Sequence, residues 1–354
     1  MAFVTESAID GTQAPDQTAT MFTFGGAGGA HGVDPLILIL FAMLIEAYVG
    51  EARMVFSRLR HPVAIIGGLV EALDRKLNRE TRSAGDRAVR GLLVVLIIGG
   101  GAGTVGWAVA WLTINHDFGW IVEIVLLSVL MAQRGLFDRV RAVGVALKGG
   151  GLEQARQAVG HIVGRDPQQL DEHGVARGAI ESAAENFCDA VVAPVFWYVL
   201  FGLPGLMVQK AVNTMDSMIG FTTPRHRAFG MAAARLDDAL NFFPARISGV
   251  VIALAALFVP TANVGRAFKV MLSDAGKHRS LNAGWPEGAM AGALDLALGG
   301  PRSDQGRVAP DPWIGDGRAR ANHRDIRRAL YMFTVACLIN AGLVAGLILL
   351  HLST

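Results

Sequence analysis

Apolar residues gather into six runs, at about 35–52, 91–113, 119–133, 190–209, 247–265 and 329–352. Each is long enough to cross a bilayer, or nearly so, as a helix of about 20 residues. The third is short and the fourth contains Pro194, Pro204 and Gly205, so four runs read as clean spans and two do not. The pattern predicts an all-α, polytopic integral membrane bundle of about four to six membrane segments, some broken or re-entrant, joined by helical loops. Residues 35–354 read as one membrane-embedded domain. Residues 1–34 lack Lys and Arg, and with them the basic region of a cleaved signal peptide, and are rich in Gly, Thr and Ala, which predicts a disordered tail.

Composition agrees with this pattern. Mean hydropathy is +0.40, 52% of residues are hydrophobic and only 18% are charged. The formal net charge of +2 hides a strong segregation, because every Lys and Arg falls within 53–90, 134–180, 210–246 or 266–328. The positive-inside rule then places the basic loops 53–90, 134–180 and 266–328 in the cytoplasm, with the amino terminus outside. An even number of crossings must separate residue 134 from residue 266. The runs 190–209 and 247–265 therefore either both cross or both turn back. Cys188 and Cys337 sit far apart in apolar runs and suggest neither a disulfide nor a metal motif. The stretch GGGAGTVG, Gly99 to Gly106, lacks the Lys-Ser/Thr ending of a phosphate loop and predicts close helix packing.

Candidate chemistry concentrates between Arg177 and Arg246. As a helix, Arg177, Glu181, Glu185 and Asp189 fall at steps of four on one face, directly before an apolar run, with Asn186 alongside. Ionisable groups near bilayer depth are costly and mark function. A second polar island has Lys210, Asn213 and Ser217 on one face with Asp216 adjacent. A third has Asp237, Asp238 and Asn241 between Arg235 and Arg246, where Pro244 should end or kink the helix. Carboxylates, amides and cations in this mixture suit divalent-metal phosphate chemistry, since Mg²⁺ takes a few oxygen ligands plus substrate phosphates. Two further stretches lie in basic loops. Arg58, Arg60 and His61 precede Pro62 at a helix start, and Lys277, His278, Arg279, Ser280, Asn282 and Glu287 gather among glycines as an anion-binding loop would.

Five ordered segments resemble one known family. They are HPVAIIG (61–67), ESAAENFCDAVVAPVFW (181–197), GLPGLMVQKAVNTMDSMIGF (202–221), FGMAAARLDDALNFFPAR (229–246) and NAGWPEGAMAGAL (282–294). On these the chain is similar to the membrane-bound adenosylcobinamide-phosphate synthases, the CobD/CbiB family, over nearly all of 36–350. The resemblance implies ATP-dependent amide formation between a carboxylate of adenosylcobyric acid and aminopropanol phosphate or a related amino-alcohol phosphate. A site facing the cytoplasm from the cell inner membrane goes with it. The partners it implies are corrinoid, amino-alcohol phosphate and the bilayer, with a homo-oligomer or other membrane enzymes of the pathway as further partners; no nucleic acid is expected. The sequence departs from the family at Gly50-Glu51-Ala52, where Gly-Asp-Pro is usual, at Glu46, where Asp is usual, and at Asp295, which stands for a glycine.

A carboxylate is a poor electrophile, so amide formation needs activation, most simply as an acyl phosphate made from ATP. The expected roles are Glu185, Asp189 and Asp216 for Mg²⁺, and Lys210, Arg235 and Arg246 for phosphates. Asp237, Asp238, Asn213 and Asn241 would orient, and Glu181 would be the general base. Arg177, Asn186, Ser217, His61, Lys277, His278, Asn282 and Glu287 complete the expected substrate-binding set. Two other functions fit the same features. A transporter also uses intramembrane acids and broken helices, and would move substrate without an ATP-dependent product. An intramembrane prenyltransferase would need Asp-rich diphosphate motifs, for which Asp237-Asp238 and Asn213-x-x-Asp216 are thin matches.

Overall fold

A computed structural model describes residues 33–50, 61–164, 166–304, 307–309 and 311–353. The expected tail 1–32, and Arg58, Arg60 and Glu51, lie outside these residues. Asp34 belongs to the fold: its carboxylate accepts from the Leu36 amide at 2.7 Å and caps α1, Pro35–Val49. His61 does the same for α2, Pro62–Leu77, its Nδ1 accepting from the Val63 amide at 3.2 Å. Ser83 caps α3, Ala84–Asn115. The chain continues through α4, Gly119–Leu130, α5, Gln133–Val145, a π-helical turn at Ala146–Gly150, and α6, Gly151–Val159. Then α7, Glu172–Phe187, passes through a second π turn, Cys188–Val192, into α8, Ala193–Ile219. Five more helices follow: α9, Met231–Leu240, α10, Phe242–Ala255, α11, Val264–Asp274, α12, Gly284–Leu294, and α13, His323–Ser353. The only strands among the described residues form two short antiparallel pairs between α12 and α13.

Two hydrophobic cores sit at opposite ends of the long α13. The first joins α1, α3, α4 and α8 with Val344 and Ile348 of α13. The second joins α5, α6, α7, α10, α11 and α12 with the Ile326–Ala336 part of α13. Large apolar side chains around the first core face outward, among them Phe41, Leu44, Leu96, Trp107, Val122 and Leu349. That is the signature of a lipid-facing belt. At one end of this belt Asp34 meets His351 at 3.5 Å, and at the other Glu46 accepts from the Arg134 amide at 3.0 Å. Hence α1 and the second half of α13 run side by side along this belt.

By length and composition four helical stretches suit a membrane crossing, or five if the α9 and α10 pair, bent by 48°, counts as one. One of the four, Glu172–Ile219, does not cross. Asn213 Nδ2 donates to Asp189 Oδ2 at 3.2 Å, whereas 24 residues of straight helix would separate them by roughly 36 Å. The chain reverses at Gly202, whose φ of 62° and ψ of −157° suit a residue without Cβ, with Pro204 starting the return arm. The hairpin tip lies against α3, where a Cβ on Gly106 would stand 2.8 Å from Pro204 Cα. Near the start of α3, Gly91 is pressed on the Phe229 carbonyl, at the level of the hairpin mouth. Those fifteen residues of α3 span about 22 Å. Both arms of the hairpin therefore open at the same end. Helix α10 packs in the second core, together with α5, α7 and the first part of α13.

Two smaller expectations resolve differently. Close packing holds for Gly103 and Gly106, but a Cβ on Gly99, Gly100 or Gly101 would meet nothing within 4 Å. Asp295 takes the left-handed conformation, φ 60°, at the C-terminus of α12, which explains a family glycine there. Its carboxylate is drawn to Arg266 at 2.5 Å.

Candidate active site

The mouth of the hairpin is where the polar islands meet. Glu181, Glu185 and Asp189 from α7 and its π turn, Asp216 from α8, and Asp237, Asp238 and Asn241 from α9 line one cleft of about 560 Å³. His278, Asn282 and Glu287 close its far wall. The stripe at steps of four holds for the three acids but not for Arg177, which turns away to donate to the Ala319 carbonyl at 2.6 Å and stack over Trp313. The π turn matters because it departs from the 3.6-residue period and re-aims Asp189, a common use of such turns at functional sites.

Asn213 ties the two main acids together, donating from one amide to Asp189 at 3.2 Å and to Asp237 Oδ1 at 3.4 Å. Asn241 donates to the other oxygen of Asp237 at 3.0 Å. Its own Oδ1 is buried without a hydrogen-bond partner, while the side chain borders the cleft. Lys210, 8% exposed, is the buried cation acting on both Asp189 and Asp237. Its side chain borders a second pocket, of about 530 Å³, whose polar lining among the described residues is His61, Arg139, Asn186 and Lys210. Helix α7 is the partition: Glu185 and Asp189 face the acidic cleft, and Asn186 and Ala190 face the basic pocket.

Several expected roles are corrected by this placement. Glu185, Asp189 and Asp216 do not converge as a preformed metal cage, and among the described residues no three His, Cys, Asp or Glu side chains do. Glu185 sits exposed at the rim. Glu181 is 6% exposed and accepts from the Gly299 amide at 2.7 Å, so its carboxylate anchors the strand segment to α7. Arg235 is exposed on α9 and borders neither pocket. Arg246 packs 3.6 Å over Phe242 and 4.7 Å from Trp285, and donates to Asn282 Oδ1 at 3.1 Å. It thereby fixes Asn282, which donates to the Asp238 carbonyl at 2.9 Å. Lys277 is held outside the cleft by Asp274 at 2.7 Å, and Ser217 is exposed, its hydroxyl bonded back to the Asn213 carbonyl at 2.8 Å. In their place the cleft has Arg279, and the second pocket has Arg139. Arg279 belongs to the anion-binding loop that the sequence suggests; nothing marks Arg139 among the basic residues of α5.

The segment after the hairpin is braced from outside the bilayer belt. Burial of Asp74 would raise its carboxyl, but bonds from Arg225 at 2.6 Å and Asn78 at 2.7 Å outweigh this and hold it below the ordinary carboxylate range. Arg87 adds bonds to the Asn78 side chain and to the Arg225 carbonyl. The loop from Ile219 to Met231 is thus pinned to α2 and α3, which fixes Asp216 and Asp237 across the cleft.

The residues suit a divalent cation in one respect. Asp189, Asp216, Asp237 and Asp238 act electrostatically on one another, and with the unpartnered Asn241 oxygen they offer hard oxygen donors in excess of the cations present. Mg²⁺ takes such a partial set, completing its shell with water and substrate phosphates.

Comparison with known proteins follows the same lines. The family model described as CobD/Cbib protein matches residues 39–333. A Cobalamin biosynthesis protein CobD from Sinorhizobium sp is 44% identical over 88% of this chain and 98% of its own length. Proteins of the same name from Brucella suis and Rhodobacter capsulatus are 42% and 43% identical, over 87% and 88% of this chain and 95% and 96% of theirs. No solved structure matches the chain.

Proposed function

This chain belongs to the CobD/CbiB family and so to cobalamin biosynthesis, and from that premise we propose that it is an adenosylcobinamide-phosphate synthase, joining adenosylcobyric acid to aminopropanol phosphate or a close amino-alcohol phosphate at the expense of ATP. The observation that carries this reading is the pair of unlike pockets on either side of α7. A condensation must bring a phosphorylated amine and an activated carboxylate together from two directions. The pocket lined by Lys210, His61 and Arg139 suits the phosphate of the amino alcohol. The acidic cleft suits ATP only together with a divalent cation, since its seven carboxylates would otherwise repel it.

In this reading ATP phosphorylates the corrinoid carboxylate, the amine attacks the acyl carbon, and inorganic phosphate leaves with one proton released. Asp189, Asp216 and the Asn241 oxygen would hold Mg²⁺, which when bound polarises phosphoryl oxygens as a Lewis acid. Lys210 neutralises phosphate charge from the other pocket. Asp237, oriented by Asn213 and Asn241, takes the proton of the ammonium. Glu181 and Arg246 are positioning residues, acting through Gly299 and Asn282.

Purified protein given adenosylcobyric acid, Mg-ATP and aminopropanol phosphate should form the amide, with one ADP and one phosphate per product, read by mass spectrometry. Movement of a corrinoid across sealed vesicles with no new amide would make the protein a transporter instead. The site should also open to the cytoplasm of the inner membrane, where ATP is found. Ser217 and Ala239 are both exposed. Single cysteines there, in a background with Cys188 and Cys337 replaced, should react with an impermeant thiol reagent from the cytoplasmic side only. Labelling of intact cells from outside would reject the ATP-dependent mechanism on these residues.

A further inference from the structure

A third groove, of about 730 Å³, lies between α5 with its following π turn and the first half of α13. Among the described residues it shares no lining residue with either pocket of the active site. Arg141 and Lys148 stand on one wall and Arg324 and Arg327 on the other, and no carboxylate among the described residues lines it. None of the four has an ion-pair partner among the described residues. Elsewhere cations of this chain do pair: Arg266 with Asp295 and Asp316, and Arg318 and Arg328 with Asp325. Four like charges facing one groove repel, and the arrangement is favourable only with an anion between them.

The position of the groove says which anion. Arg324, Arg327, Tyr331, Leu338 and Leu349 fall on one face of α13, at spacings that return close to whole turns. Tyr331 is 50% exposed, Leu338 65% and Leu349 70%. Along this single helix face the order is cation, aromatic, then aliphatic. The aliphatic part lies where α13 enters the first core and its lipid-facing belt. A membrane protein presents this sequence of chemistry to a lipid: headgroup charge, interfacial ring, acyl chain. Close packing supplies the floor, with a Cβ on Gly144 only 3.2 Å from Ile326 Cγ2.

We propose that this groove binds the phosphate headgroup of an anionic phospholipid, whose acyl chains run along Tyr331, Leu338 and Leu349. The site holds the amphipathic second core against the membrane surface, and does so independently of the chemistry assigned to the hairpin mouth.

The test uses the full chain in detergent, with phosphatidylglycerol or phosphatidylcholine added, followed by native mass spectrometry and thermal unfolding. Phosphatidylglycerol should remain bound and raise the melting midpoint, while phosphatidylcholine should do neither. The combined Arg141→Gln, Lys148→Gln, Arg324→Gln, Arg327→Gln variant should bind phosphatidylglycerol on the order of 10²-fold more weakly, each surface cation being worth up to about five-fold. If that variant does not fold, Arg324→Gln with Arg327→Gln should still weaken binding on the order of ten-fold. Replacing the three arginines by Lys should preserve binding. Equal retention of both lipids, or unchanged binding after charge removal, overturns the proposal. So does inorganic phosphate producing the same thermal shift as phosphatidylglycerol, because the groove would then take a free anion.

Discussion

Asp189→Asn is expected to lower kcat by about 10³-fold, the scale on which a single preorganised charged group acts on a transition state. The substitution keeps the shape of the side chain and the Asn213 contact while removing the charge that faces the cleft. Lys210→Met should be comparably inactive and also less stable, because Lys210 is the buried cation acting on Asp189 and Asp237. Adding Asp189→Asn to Lys210→Met should recover stability without recovering turnover. Arg139→Gln, in the other pocket, should instead raise KM for the amino-alcohol phosphate and leave kcat nearly unchanged. This split separates the two pockets kinetically. Wild-type turnover in Asp189→Asn, with the protein folded in detergent, would remove the acidic cleft from the mechanism.

The acids were legible in the sequence because their spacing is a local property. The π turn that aims Asp189 into the cleft does not follow from the period, but Glu181 and Glu185 recur one helical step apart within α7, and their common face does. The same holds for Asp237 and Asn241, one turn apart and now hydrogen-bonded at 3.0 Å. The cations were not legible. Lys and Arg carry their charge at the end of long chains, and where that charge settles depends on tertiary neighbours. Trp285 and Asn282 claim Arg246, Asp274 claims Lys277, and Trp313 with the Ala319 carbonyl claims Arg177. Pro194 shows the limit in the other direction. It reads as a break, but it falls in the first turn of α8, where a missing amide proton costs little. The break lies eight residues on, at Gly202, and that it reverses the chain is a long-range fact.

That reversal makes the second large prediction. Gly106→Val should destabilise the protein by up to about 3 kcal/mol and abolish turnover, while Gly100→Val should be tolerated. Both glycines belong to the same small-residue run of α3 and are indistinguishable in the sequence. A Cβ at Gly106 would meet the backbone of Leu203 and Pro204 at 2.8 to 3.0 Å, and backbone cannot swing aside as a flexible side chain would. At Gly100 there is nothing within 4 Å. Wedging α3 from the hairpin tip displaces the return arm, which carries Lys210, Asn213 and Asp216, relative to Asp189 on the entering arm. The Asn213 bond to Asp189 and Asp237 is the element most exposed to such a shift, since one amide bridges both arms and α9. The readouts are the melting midpoint in detergent and turnover per folded protein. If Gly106→Val matches Gly100→Val in both, the tip does not rest on α3, and this contact is not what holds the return arm in register with Asp189.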